Sequence, residues 1–169
     1  TGELELAQDI ITYTTVEMGE KTQTMLQTSV KASVTNHSLP IANGTVQITV
    51  PTMGGSKPVS ATVLMQGKYV TSSYNKENGT LTLSINHGVE EDGKVTWVSE
   101  EDFLITYLYD TTVAENTEVK LEQKTVANIQ AYNATKTELE QENTLSKTVK
   151  EKIGNVISFD AKAEGEISK

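Results

Sequence analysis

Two clusters of acidic side chains are the groups in this sequence whose type and spacing come nearest to a metal or catalytic site. They are Glu90-Glu91-Asp92 and Glu100-Glu101-Asp102. Clustered carboxylate oxygens are the ligands that Ca²⁺ prefers, but the spacing of neither cluster matches a calcium-binding loop. Two carboxylates brought together by folding could cleave a glycosidic bond, although no long active-site loop is evident to hold them. We therefore predict solvated charges in turns and no metal site.

Histidine and cysteine offer little further chemistry. The chain has two histidines, His37 and His87, and no cysteine. The absence of cysteine excludes disulfides and thiolate metal sites, and two isolated histidines in turn-like contexts do not make a transition-metal site. No nucleophile-elbow motif is present. The sequence therefore predicts no catalytic residue, no cofactor and no enzymatic activity.

Trp97 is the candidate binding residue that the sequence offers. Exposed aromatic rings on a rigid sheet can stack on sugars, which would make this chain a carbohydrate-binding module. The alternative is that the aromatic residues form the core, as they usually do in sandwiches. The residues that could join Trp97 in such a platform are Tyr13, Tyr69, Tyr74, Tyr107, Tyr109 and Tyr132.

The charge balance argues against some classes of partner. The formal net charge is −9, and all 14 basic residues are lysines. Nucleic-acid binding favours a basic surface with arginine, so we predict no nucleic-acid partner. Acidic surfaces are repelled by anionic lipid headgroups, and no apolar run is long enough to span a bilayer, so we predict no membrane insertion.

The elements that must position these residues are predicted to be β-strands. Between Met25 and Pro51 two alternating strands meet across a polar connection that carries Pro40 and Asn43-Gly44. Alternation places one set of side chains on a dry face and the other set on a wet face. The residues predicted to face inward are Leu26, Val30, Ala32, Val34, Val46, Ile48 and Val50.

Further strands are predicted from Ile10 to Val16, over 59–69 and in the last segment after Gly154. Residues 118–132 are predicted to form one long strand, or two strands with a break between them. A hairpin with a two-residue turn is predicted at Asn78-Gly79, because this pair tolerates positive φ at both turn positions. The most hydrophobic strand, with Phe103, Ile105, Tyr107 and Tyr109 on one side, should lie centrally.

Strand recurrence predicts an all-β fold, an antiparallel immunoglobulin-like β-sandwich. Residues 135–152 are polar, and both a short helix and an extended link fit them. We expect residues 1–153 to form the sandwich module. Residues 154–169 would be its last strand or the start of a following module or linker.

A family resemblance appears in the segments SVKASVTN, IANGTVQITVP and FLITYLYD. They resemble the repeat modules of Gram-positive bacterial cell-surface proteins. The resemblance implies an immunoglobulin-like or adhesin-like domain in the cell wall or on the cell surface, acting as a spacer, stalk or ligand-presenting module. Its partners would be other domains of the same surface protein, or a host protein or glycan. The chain begins Thr1-Gly2 rather than with methionine, so we expect a fragment of a longer protein.

Some families of this kind carry a Lys–Asn isopeptide crosslink, which needs a neutral lysine amine beside an asparagine amide and a protonated acid. The strand-borne candidates are Lys31, Lys68, Lys120, Asn128 and Asn133. By alternation, the first and third of these lysines point away from the apolar side chains around them. We therefore predict ordinary solvated lysines.

Overall fold

The computed structural model of this protein describes most of the chain, and the regular structure in that part is all β-strand. No helix in the described part has the length and apolar character needed to cross a membrane. The described residues are 3–18, 21–35, 41–65, 70–86, 90–91, 94–95, 100–110, 118–131, 138–150 and 156–158.

Among the described residues, twelve strands follow one another. Their bounds are β1 Glu3–Met18, β2 Lys21–Thr35, β3 Ile41–Thr49, β4 Ser60–Met65, β5 Val70–Asn75, β6 Thr80–Asn86, β7 Glu90–Glu91, β8 Lys94–Val95, β9 Glu100–Tyr109, β10 Glu118–Ala131, β11 Glu138–Lys150 and β12 Val156–Ser158.

The strands form two five-stranded sheets and a separate two-stranded pair, β7-β8. Sheet 1 has the order β12-β1-β2-β9-β4, and sheet 2 has the order β11-β10-β3-β6-β5. All neighbours pair antiparallel except β1 and β12, which run parallel. The prediction of an antiparallel β-sandwich is confirmed.

Alternation correctly predicted which side chains face the core. The outward-facing Thr45, Gln47 and Thr49 are exposed on β3. The central position of β9 is also confirmed, because it lies between β2 and β4. The predicted inward residues that the structure describes as buried are Leu26, Val30, Ala32, Val46, Ile48, Val50, Phe103, Ile105, Tyr107 and Tyr109. The side chain of Val34 lies outside those that the structure describes.

The expectation that β2 and β3 meet in one sheet is wrong. β2 pairs with β1 and β9 in sheet 1, whereas β3 pairs with β6 and β10 in sheet 2. Asn43-Gly44 lies inside β3 and not in a connection. The reason is that alternation shows which side chains of a strand face the core, but not which strand lies beside it. Two strands of one sheet and two strands in facing sheets therefore give the same pattern.

The hairpin of β5 and β6 is confirmed, but its turn is longer than predicted. Asn75 pairs with Thr80, so four residues lie between the strands. The Asn75 side chain stabilises the turn by accepting hydrogen bonds from the backbone N–H of Glu77 at 3.0 Å and of Asn78 at 3.2 Å. Gly79 has a positive φ of 71° and donates its N–H to the Asn75 carbonyl at 2.9 Å.

Residues 138–150 form a strand, so the short helix allowed for this region is not found there. β11 pairs with β10 from Glu138↔Gln130 to Lys150↔Glu118. An edge strand forms backbone hydrogen bonds with one neighbour and needs no continuous apolar stripe. The sparse leucines of this segment therefore did not distinguish a strand from a short helix. β12 pairs with β1, and the domain boundary at residue 153 stays a prediction.

Gly44 provides a test of how closely β3 and β10 pack. A Cβ at this position would meet the backbone oxygen of Asn128 and lie 2.9 Å from the Cα of Ile129. Both atoms belong to the backbone of a central strand and cannot move aside cheaply. We expect Gly44→Ala to lower the free energy of unfolding by about 1–3 kcal/mol in urea titrations, because overpacking forces such shifts. Thr45→Ala, at the exposed neighbour, should change it by less than about 0.5 kcal/mol; equal effects would contradict this close approach.

Candidate functional site

A network of buried and half-buried hydrogen bonds joins the two sheets. Gln123 on β10 lies at its centre and is only 1% exposed. Two hydroxyl groups of sheet 1 donate to its side-chain oxygen. Tyr107 Oη lies 2.5 Å and Thr28 Oγ1 lies 3.0 Å from Gln123 Oε1. One amide oxygen of sheet 2 therefore accepts from two strands of sheet 1, β2 and β9.

Gln8 on β1 carries the network to the side of the sandwich. Gln123 Nε2 and Thr125 Oγ1 each donate to Gln8 Oε1 at 2.7 Å. Gln8 Nε2 then donates to Asn143 on β11, to Oδ1 at 2.6 Å and to the backbone oxygen at 3.1 Å. The amide of Gln8 thus joins β1 to both β10 and β11.

We call this set the inter-sheet clamp. Buried amides and hydroxyls stabilise a fold only when their donors and acceptors are paired, and here the pairing runs through five strands. No member of the clamp carries a charge at neutral pH. Its members are Gln8, Thr28, Tyr107, Gln123, Thr125 and Asn143.

Sequence reasoning missed the clamp, although a signal was present. Thr28 lies between Leu26 and Val30 on the dry face of β2, and Gln123 and Thr125 fall on the inward face of β10. Polar residues at inward positions of an alternating strand indicate a buried polar contact. Their partners come from strands far away in the sequence and cannot be read from the pattern.

The second feature is a loop between β3 and β4, residues 51–58, that tyrosines hold against the end of the sandwich. Tyr109 Oη donates to the Pro51 carbonyl at 2.6 Å, and Tyr74 Oη donates to the Pro58 carbonyl at 2.8 Å. One tyrosine comes from sheet 1 and the other from sheet 2. Both ends of the loop are therefore anchored to the core.

Between these anchors the loop forms a tight turn. Met53 and Ser56 exchange backbone hydrogen bonds at 2.9 and 3.0 Å. Gly54 and Gly55, between them, have φ values of 60° and 82°, a conformation that disfavours other residues. Met53 is fully buried, while both glycines are exposed. The result is a tight hydrogen-bonded turn with its two glycines on the surface.

Burial keeps the hydroxyls of the two inward tyrosines of β9 protonated. It raises the pKa of Tyr107 and of Tyr109 far above the ordinary value for tyrosine. Both hydroxyls therefore stay protonated and remain hydrogen-bond donors throughout the physiological range.

The aromatic platform proposed for sugar binding is not supported by the tyrosines that the structure describes. Tyr107 and Tyr109 are fully buried, and Tyr13 and Tyr74 pack against the core. Trp97 lies outside the described residues, as do two tyrosines of that set, Tyr69 and Tyr132. The role of Trp97 stays a prediction.

The acidic residues 100–102 are part of β9 and do not form the predicted turn. Glu100 and Asp102 are exposed, whereas Glu101 is 6% exposed and shares the inward face with its partner Ala32. Glu100 lies 3.5 Å from Lys31. In the described part of the chain, no three acidic or histidine side chains are grouped as metal ligands. The other acidic cluster is described only for the backbone of β7, Glu90–Glu91.

The lysines considered for a crosslink lie where alternation predicted. Lys31 and Lys120 are exposed, and so is Asn128. Lys68 and Asn133 lie outside the described residues. The buried polar groups described between the sheets include amides and hydroxyls of the clamp, and neither Lys31 nor Lys120 lies among them.

A shallow depression of about 370 Å³ lies on the outer face of sheet 1. It is lined by Glu5, Leu6, Ala7, Lys31 and Ser33. One ammonium, one carboxylate and one hydroxyl surround a small alanine. This lining can accept a polar group.

Comparisons with known proteins give a likeness of fold. No protein-family model and no curated protein matches this chain. Among solved structures, the chain is similar to the cohesin module of a family 33 glycoside hydrolase from Clostridium perfringens, with 13% identity and a TM-score of 0.50. That match covers 89% of this chain and 96% of the cohesin. At this identity the likeness shows a shared fold, the two-sheet sandwich.

Two further structures are more distant. AggA, the major subunit of aggregative adherence fimbriae type I from Escherichia coli, is 8% identical, with 89% of this chain and 95% of AggA covered and a TM-score of 0.47. Domains D2 and D3 of the major pilin SpaD from Corynebacterium diphtheriae are 12% identical, with 82% and 51% covered and a TM-score of 0.41.

Removal of the central amide tests the clamp. Gln123→Ala leaves the hydroxyls of Tyr107 and Thr28 without their acceptor, and each buried unpaired group costs about 1–3 kcal/mol. We expect urea titration to show a loss of about 3 kcal/mol in the free energy of unfolding. Gln47→Ala, at an exposed glutamine of β3, should cost less than about 0.5 kcal/mol. Similar losses in the two variants would contradict the clamp.

Alkaline titration tests the two buried tyrosines. An unfolded chain releases their protons above about pH 10, whereas the folded chain retains them, so the folded state binds more protons there. Stability is therefore complete below this pH and falls above it, by about 1.4 kcal/mol per pH unit for each tyrosine. Denaturant titrations across alkaline pH should show this slope, and Tyr109→Phe should reduce it by about 1.4 kcal/mol per pH unit. A slope that Tyr109→Phe leaves unchanged would contradict this assignment.

Proposed function

We propose that this chain is a non-enzymatic structural or adhesive domain of a bacterial cell-surface protein, a spacer that also presents a loop to a partner. The observation that carries the proposal is the position of its first and last described strands. β1 starts beside the end of β2, with Glu3 opposite Thr35. β12 pairs with the far end of β1, at Thr15–Glu17, and runs in the same direction.

This arrangement leads the chain in at one end of the sandwich and out at the other. β1 has 16 residues, which at about 3.3 Å per residue span roughly 50 Å. Neighbouring domains attached before β1 and after β12 would therefore be held apart by the length of the sandwich. Such a serial arrangement suits a stalk or spacer, and the neighbouring domains of the same surface protein are the partners expected first.

The same geometry favours resistance to pulling. Force applied at the start of β1 and at the end of β12 acts along two parallel strands, so it shears their hydrogen bonds together rather than opening them one by one. The clamp adds to this resistance, because Gln8 ties β1 to β10 and β11. One residue further along β1, an ion pair between Asp9 Oδ1 and Lys147 Nζ, 3.2 Å apart, also links β1 to β11.

Loop 51–58 is the element best suited to presentation to a host protein or glycan. Binding elements are commonly loops held on a rigid scaffold, and here tyrosines of both sheets fix the two ends of the loop. Its tip exposes two glycines with open space around them. A partner can therefore approach the backbone closely there.

The cellular location is tested by labelling intact bacteria. An antibody raised against the folded chain should bind whole cells of the source organism, and brief protease treatment of those cells should abolish the signal. An antibody to a cytoplasmic protein serves as the control and should bind only after lysis. A signal that appears only after lysis would contradict the surface assignment.

The spacer role is tested by single-molecule pulling through the two ends of the chain. Gln8→Ala should lower the unfolding force, because it removes the links from the loaded strand to β10 and β11. Val46→Ala is the control: it opens a cavity in the core on β3, a strand outside the loaded pair, and costs about 2–3 kcal/mol in stability. An unfolding force that falls more for Val46→Ala than for Gln8→Ala would contradict the proposed path of load.

A further inference from the structure

The two lateral edges of the sandwich differ in how well they are protected against pairing with another chain. On one side lie β11 and β1. β11 contains five charged residues, Glu138, Glu140, Glu142, Lys147 and Lys150. Gln8 covers part of its backbone by donating to the Asn143 carbonyl at 3.1 Å, and the three residues of β12 cover the end of β1. Charges and covering groups are the usual devices that stop an edge strand from pairing with another chain.

On the opposite side, formed by β4 and β5, the described residues provide none of these devices. Neither Ser60–Met65 nor Val70–Asn75 contains a charged residue or a proline. β5 pairs with β6, and no described strand pairs with its other side. In a chain with a net charge of −9, this is a long uncharged stretch of sheet edge.

The two strands of this side differ in regularity. The pairing of β4 with β9 is interrupted between Val63 and Met65, and Leu64 at the interruption is 59% exposed. Such a bulge disturbs the ladder and protects an edge. β5 pairs with β6 without interruption from Val70 to Asn75. β5 is therefore the edge that can accept another strand.

Ser72 leaves room beside this edge. It lies opposite the buried Leu83, so it belongs to the inward face, yet it is exposed. Ala61 and Val63 on β4 are only partly buried. A strand added next to β5 would place its inward side chains over these apolar groups and cover them.

We propose that the occupant of this edge is a second copy of this chain, with the two β5 strands paired antiparallel about a two-fold axis. Two acidic molecules repel each other, so they associate best where the contact itself brings no like charges together. The sequence VTSSYN meets this condition against itself, since only hydroxyl, amide and apolar side chains face one another. A two-fold contact uses the same patch on both copies and closes on itself.

The size of the edge sets the strength of the association. Six residues per copy form a small interface, so a weak, reversible dimer is expected and not a permanent one. Because the strands are antiparallel, the long axes of the two copies point in opposite directions. The pairing does not require that the chain serve as a spacer.

Single-cysteine variants test the contact directly, because the chain has no cysteine of its own. Thr71→Cys, Ser72→Cys and Ser73→Cys place a thiol at successive positions of β5. Ser84→Cys, exposed on the neighbouring inner strand β6, is the matched control. Under mild oxidation at high protein concentration, at least one β5 variant should form disulfide-linked dimer about tenfold faster than the control. Equal rates in all four variants would overturn the proposal.

Sedimentation measures the same association without a crosslink. The wild-type chain should show a monomer–dimer equilibrium at submillimolar concentration, and Ser72→Lys should weaken it about tenfold by setting two ammonium groups against each other. Ser84→Lys adds the same charge away from the edge and should leave the equilibrium unchanged. Circular dichroism of both variants verifies that they are folded. A wild-type chain that stays monomeric at millimolar concentration, or a dimer that both lysines weaken equally, would overturn the proposal.

Discussion

The buried amide of Gln123 is the constraint on which the arrangement of the two sheets depends. Its oxygen accepts from hydroxyls of β2 and β9, and its nitrogen donates to Gln8 on β1. Apolar side chains tolerate many ways of stacking two sheets, because burial has no direction. An amide in the same core tolerates few, because each of its groups must find a partner. A slip of one residue in β10 would turn Gln123 to solvent and leave the hydroxyls of Tyr107 and Thr28 unpaired. The core supplies the stability, and we infer that the clamp selects the alignment.

The inward face of β9 shows how one strand connects distant parts of the fold. Phe103 and Ile105 contribute only apolar surface to the core. Tyr107 and Tyr109, on the same face, each add a hydroxyl to that surface. Tyr107 uses it to reach Gln123 in the opposite sheet, and Tyr109 uses it to hold the Pro51 carbonyl at the start of the loop. Since both side chains are buried, neither hydroxyl competes with water for its acceptor. The anchoring of loop 51–58 at Pro51 is therefore a consequence of core packing.

Much of this fold was predictable from alternation, and the failures share one cause. Leu26, Val46 and Ile105 all lie on the predicted face, because the alternation that gives a strand one apolar side can be read from a few consecutive residues. The separation of β2 and β3 into different sheets was not predictable, since each needs only some apolar surface opposite it. The clamp was missed for the same reason. Gln8, Gln123 and Asn143 are joined by contacts between residues far apart in sequence, and no local pattern encodes such a meeting. The turn at Asn78-Gly79 was placed correctly but given the wrong length, because the Asn75 side chain stabilises a wider turn.

The protected edge at β1 and β11 and the unprotected edge at β5 follow from the same topology. A two-sheet sandwich has edges on both sides, and each edge exposes backbone groups that another chain can use. On the β1 side, the clamp already brings β1 against β11, and the amide of Gln8 satisfies a carbonyl of the edge. On the β5 side, the links between the sheets lie at the end of the strands, where Tyr74 reaches Pro58. The middle of β5 is left with small uncharged side chains and no partner strand among the described residues. The first and last described strands, β1 and β12, both lie on the opposite side, and the absence of charge in β5 makes its backbone the accessible element.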